Sequence, residues 1–89
     1  MKPIAFKTHI DILKYLKTSY LEIPEDVVKK IGGIGKQRLI CEVNKSITFQ
    51  CGLMALQEGK AYISINAKRM KELKVGLGDT VQVVLTIDD

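Results

Sequence analysis

The chain has 89 residues, 46% of them apolar and 27% charged, with two prolines and no tryptophan, a composition that fits a globular domain and excludes a collagen-like or low-complexity chain. At this length folding buries only roughly 60 to 65% of the unfolded chain's surface, so the core is thin and a deep pocket around a large substrate is not expected. No apolar run approaches the ~20 residues of a membrane span, and the start from Met1 to Asp11 lacks the apolar stretch of a signal peptide, so the expectation is a cytoplasmic protein with no membrane attachment.

Phe6, Thr8, Ile10 and Ile12 alternate with Lys7, His9 and Asp11, the period of two that marks a strand with one buried face, over about residues 5 to 14. Tyr15 to Thr18 turns the chain, and Ser19 to Ile23 reads as a short second strand. A helix follows. Pro24 suits its first position, Glu25 and Asp26 complement the positive end of its dipole, Lys29 and Lys30 the negative end, and Gly32 supplies a left-handed stop. Val27, Val28 and Ile31 form its apolar stripe.

Leu39, Cys41 and Val43 alternate with Arg38, Ile40 and Glu42, and beyond a turn at Asn44-Lys45-Ser46 Ile47, Phe49, Cys51 and Leu53 alternate with Thr48, Gln50 and Gly52. A two-residue loop would put the two apolar sets on opposite faces of this hairpin. A three-residue loop pairs Val43 with Ile47 and puts both inside, so we choose it. Gln57 to Lys60 is the next turn, Ala61 to Ile65 the fifth strand, and Asn66 caps a second helix with Met70 and Leu73 inward. A glycine-containing loop from Lys74 to Asp79 leads to the sixth strand, where Val81, Val83, Leu85 and Ile87 alternate.

In this register Cys41 faces Phe49 and Cys51 faces Leu39. The thiols are then diagonal neighbours, at Cα separations of roughly 7 to 8 Å, beyond the usual disulfide reach, and are expected to act as small apolar groups. A single histidine and no CxxC exclude a structural zinc site, and no cofactor is expected.

Residues 20–43 and 62–85 match in pattern at an offset of 42: Tyr20 with Tyr62, Leu21 with Ile63, Ile23 with Ile65, Val28 with Met70, Ile31 with Leu73, Cys41 with Val83. Each half is strand, short helix, glycine loop, strand. Neither half buries its apolar face alone, so the expected fold is a single mainly β domain over residues 1–89, a six-stranded pseudo-twofold barrel capped by two short helices.

Three stretches carry a family resemblance: Ile23-Pro24-Glu25-Asp26-Val27-Val28, Tyr62-Ile63-Ser64-Ile65 leading to Lys68-Arg69-Met70, and Val75-Gly76-Leu77-Gly78-Asp79-Thr80-Val81. The chain resembles, from about Phe6 to Asp88, a bacterial family of small proteins catalogued as a domain of unknown function, found alone or fused to a bacteriocin-protection, OmpD-associated type of domain. The resemblance implies a double-split β-barrel related to the swapped-hairpin barrels of AbrB-type regulators and MazE-type antitoxins, which build theirs from two chains. It brings no catalytic residues. The chain departs from the family at the first hairpin, where Asn44-Lys45 replaces the commoner Asn-Gly.

The net charge of +4 lies wholly in residues 60–74, where Lys60, Lys68, Arg69, Lys71 and Lys74 outnumber Glu72; the remaining basic and acidic residues cancel. Lys68 and Arg69 sit in the first turn of the second helix, where the dipole disfavours cations. A bound phosphate or other anion would offset that, with Lys60 and Lys71 extending the site. The plainer alternative is a solvated face whose alkyl stems cover apolar surface.

Gly32-Gly33-Ile34-Gly35-Lys36 is not a phosphate loop, because it leaves a helix for a strand and a Walker loop does the reverse. Tyr15 between Lys14 and Lys17 is a lone candidate for base stacking, and no two carboxylates are placed to share acid and base roles. The sequence therefore points to a non-catalytic binding or accessory module with a basic patch at Lys60, Lys68, Arg69 and Lys71, expected to be a monomer. The alternative is a nucleic-acid binder, by analogy with the AbrB-type barrel.

Overall fold

The computed structural model describes residues 3–15, 17–35 and 38–88. Leu16 of the first turn and Lys36 at the end of the glycine-rich stretch lie outside them. The described chain is mainly β: strands β1 (Ile4–Leu13), β2 (Thr18–Ile23), β3 (Leu39–Val43), β4 (Ile47–Cys51), β5 (Met54–Ala55), β6 (Ala61–Ser64) and β7 (Thr80–Ile87), with helices α1 (Glu25–Ile31) and α2 (Ala67–Leu73). All ladders are antiparallel, in the order β4-β3-β7-β1-β2-β6-β5.

The two outermost strands, β4 and β5, are joined only by Gly52 and Leu53. Laid flat, seven strands at ~4.8 Å spacing would hold those edges ~29 Å apart, whereas the link spans at most ~11 Å. The sheet must therefore curl into a half-barrel. β1 is the hinge of the curl. It pairs with β7 from Ile4 to His9 and with β2 from Ile10 to Leu13, and at the changeover both backbone groups of Ile10 are taken by the loop before β7, through Asp79 O at 3.0 Å and Gly78 N at 2.8 Å.

Seven strands replace the expected six because the fourth breaks. β4 ends at Cys51, and Met54–Ala55 instead joins the ladder of β6; Leu53, buried between them, keeps the inward phase. The hairpin register is the expected one, Val43 opposite Ile47, Cys41 opposite Phe49 and Leu39 opposite Cys51. Pro24 is the N-cap of α1 rather than its first helical residue, its backbone extended at φ −62°, ψ 154°. Gly32 ends α1 in the left-handed region at φ 103°, its N–H bonded to the helix's last turn.

The inward positions of each alternating run form one core: Ile10, Leu21, Ile23, Leu39, Cys41, Val43, Ile63, Ile65, Val81, Val83 and Leu85, covered by Val27, Val28 and Ile31 of α1. Met70 and Leu73 of α2 are only half-buried against it. Thr8 is the one buried polar side chain among the described residues, and its hydroxyl donates to Glu22 O at 2.7 Å, which removes the cost of its burial.

Candidate functional site

The second helix begins where Asn66 turns the chain. Its Oδ1 accepts from the Arg69 N–H at 2.8 Å, satisfying one of the free donors at the helix start. No acidic residue stands in the first turn. Lys68, Lys71 and Glu72 are exposed and Arg69 is half-buried. Lys74 closes the helix in the left-handed region at φ 58°.

Arg69 has a partner on another element. Its guanidinium carbon lies 4.3 Å from the centre of the Phe49 ring on β4. A cation over an aromatic face gains about 0.5 to 2 kcal/mol, against a dipole penalty of about 0.3 to 1 kcal/mol for a base at a helix start. The ring contact therefore accounts for Arg69 at this position without a bound anion. Cys41 stands opposite Phe49 and diagonal to Cys51 across the β3–β4 ladder, so that the protonation of each thiol bears on the other. Cys41 keeps its proton: its interaction with Cys51, burial and the Cys51 charge push its pKa far up, against a smaller pull from Arg69. Cys51 is pulled below its usual value by that same interaction and, more weakly, by the Arg69 charge, with burial opposing both. Both thiols are free.

Lys60 is held elsewhere. Its ammonium lies 3.7 Å from a Glu22 carboxylate oxygen and 4.0 Å from one of Glu58, in an open cleft of about 280 Å³ that Tyr20 and Gln57 also line. One ammonium between two carboxylates leaves that cleft unfavourable to an anion. The pKa of Tyr20 there is raised by burial and then by the Asp11 and Glu22 carboxylates. Tyr20 and Tyr62 meet edge to face with centroids 5.5 Å apart, as paired structural residues would. Tyr15 is fully exposed and His9 points outward opposite Thr80.

Of the four basic residues singled out in the sequence, the fold thus places Lys68, Arg69 and Lys71 together on α2 and draws Lys60 into ion pairs on β2 and the turn before β6. Sequence reasoning missed Phe49 and Glu22. The inward phase of Phe49 in the hairpin was the available signal for the first; the second is set by the β2–β6 ladder, in which Glu22 stands opposite Tyr62. Among the described residues no group of three or more His, Cys, Asp or Glu side chains converges as a metal cage, and no helix is long and apolar enough to cross a membrane.

A family model described as a domain of unknown function (DUF1905) matches residues 6–85. No curated protein matches the chain significantly.

Proposed function

The chain belongs to the DUF1905 family, and from that premise we propose that it is a non-catalytic binding or accessory module that meets an acidic partner with the cationic side of α2. The supporting observation is the pair Lys68 and Lys71, one turn apart, both exposed and without an ion pair among the described residues, while Lys60 is engaged by carboxylates. A local cationic field of this kind raises encounter rates with acidic groups. Both cysteines are free, which suits a reducing compartment such as the cytoplasm.

The nucleic-acid reading rests on the sequence pI of about 9.1 and on fold-level analogy. With Lys60 paired and Arg69 on Phe49, the free phosphate contacts fall from four to two, and the log–log salt slope on duplex DNA from about −3.6 to about −1.8. Polyglutamate and duplex DNA, each titrated at 50 and 200 mM salt against the native chain and a Lys68→Gln/Lys71→Gln variant, test both. Polyglutamate binding that the double substitution weakens supports the proposal; equal binding by both proteins refutes it. DNA binding with a slope near −1.8 would instead establish the nucleic-acid reading.

The finer architecture we propose is a closed double-split barrel of six strands, β4 and β5 counting as one broken strand. The ladder registers support it. The offset of 42 exchanges Leu21 with Ile63, which face each other, and likewise carries the pair Cys41–Leu85 onto Val83–Val43. β1 pairs first with β7 and then with β2; β4 and β5 pair in turn with β3 and β6. A chain that supplies both halves of its wall needs no second copy to close it, so we take the protein to be a monomer.

A further inference from the structure

The outer face of β1 and β7 carries a feature that shares no residue with α2. Lys7 stands opposite Gln82 and Ala5 opposite Val84. The neighbours Val83 and Leu85 point inward and are buried, so strand alternation turns these four side chains outward. Beside them the chain forms an open concavity of about 310 Å³, lined by Ala5, Lys7, Lys45, Gln82 and Val84, at the small end of the range for ligand sites.

Lys45 reaches this place because the hairpin turn is clasped to β7. Asn44 N–H donates to Gln82 O and Gln82 N–H donates to Asn44 Oδ1, each at 2.8 Å. Gln82 then lies between Lys7 on one flank and Lys45 on the other, about 10 Å apart by strand spacing. Both lysines are exposed and neither has an ion pair among the described residues. Glu42, opposite Val84 on the β3 side, charges the far rim negatively, so an anionic group is directed to the Lys7–Lys45 end.

The backbone adds a second observation. Asn44 and Lys45 both adopt left-handed conformations, at φ 52° and 54°. Asparagine tolerates this well; a lysine does not, and glycine would remove the strain. Asn44 is held by the two hydrogen bonds to Gln82, and the left-handed pair is the geometry of a tight hairpin turn, which carries the Lys45 side chain to the rim of the concavity.

We infer that this outer groove binds a small organic anion with a flat apolar body, its charged group between Lys7 and Lys45 at the Gln82 amide and its apolar body on Ala5 and Val84. An aromatic carboxylate has the matching shape and charge. The test is a titration of the ¹⁵N-labelled chain with 2-naphthoate and with the neutral 2-naphthamide, followed by amide chemical shifts. Saturable shifts at residues 5–7, 44–46 and 82–84, with the carboxylate bound at least about tenfold more tightly than the amide, are expected. Lys7→Gln/Lys45→Gln should remove that preference. Lys45→Gly separates fold from ligand: it should raise the melting temperature by relieving the left-handed strain while weakening 2-naphthoate several-fold. Equal affinity for acid and amide, shifts centred elsewhere, or undiminished binding by Lys45→Gly would overturn the assignment.

Discussion

The two thiols make the sharpest physical prediction, because their mutual interaction shifts them in opposite directions while burial raises both. Cys41 is wholly inaccessible on β3, which is paired on both sides, whereas Cys51 is half-buried on β4, a strand bonded on one side only. An alkylating reagent reaches Cys41 only when the sheet opens. At about 0.05 to 0.15 kcal/mol per residue a domain of this length has a stability of roughly 4 to 13 kcal/mol, so native Cys41 should react at least ~10³-fold more slowly than in the unfolded chain. Cys51, with its thiolate favoured by the neighbouring Cys41 thiol and the Arg69 charge, should take a single label near neutral pH. Intact mass after timed iodoacetamide exposure, with peptide mapping in native and denaturing buffer, reads both rates. Arg69→Met should slow Cys51 by less than about tenfold, because the larger cause of its lowered pKa, the Cys41 thiol, is untouched.

The same pair sets a pH dependence whose sign can be worked out. The folded pKa of Cys41 is raised above its ordinary value of 9.0, so above that pH the unfolded chain releases a proton the folded chain keeps, and stability falls by about 1.4 kcal/mol per pH unit. The folded pKa of Cys51 is lowered, so its contribution is lost as pH falls through that folded value and is fully present above 9. Stability by urea unfolding should therefore peak near pH 9, with the raised Tyr20 steepening the fall above 10. Native labelling of Cys41 within tenfold of its denatured rate, or a stability profile still climbing past pH 9, would refute this account of the inner face.

Two further outcomes follow from the fold. Asn66→Ala removes the cap on the Arg69 N–H and should cost about 1 kcal/mol in urea unfolding; Asn66→Asp keeps the acceptor and should cost little, so an equal loss in both would show that the cap is not what holds α2. Sedimentation equilibrium over a wide concentration range should give the 10.0 kDa monomer. A concentration-independent dimer mass would contradict self-closure of the barrel.

Much of the structure is set by interactions that a local reading reaches. The alternation of Phe6 to Ile12 and of Val81 to Ile87, the dipole charges and Gly32 stop of α1, the Asn66 cap and the three-residue hairpin loop depend on neighbours within a few positions, where strand and helix periods and capping chemistry are specific.

The meetings across the ladders come from the three-dimensional arrangement: Lys60 with Glu22, Arg69 with Phe49, the clasp of Asn44 on Gln82, and the break at Gly52–Leu53 that hands the fourth strand from β3 to β6. These partners lie 20 to 38 positions apart in the ion pair, ring contact and clasp. Their proximity comes from strand order and curl, and a pattern of apolar residues specifies which face of a strand is buried without specifying which strand lies beside it.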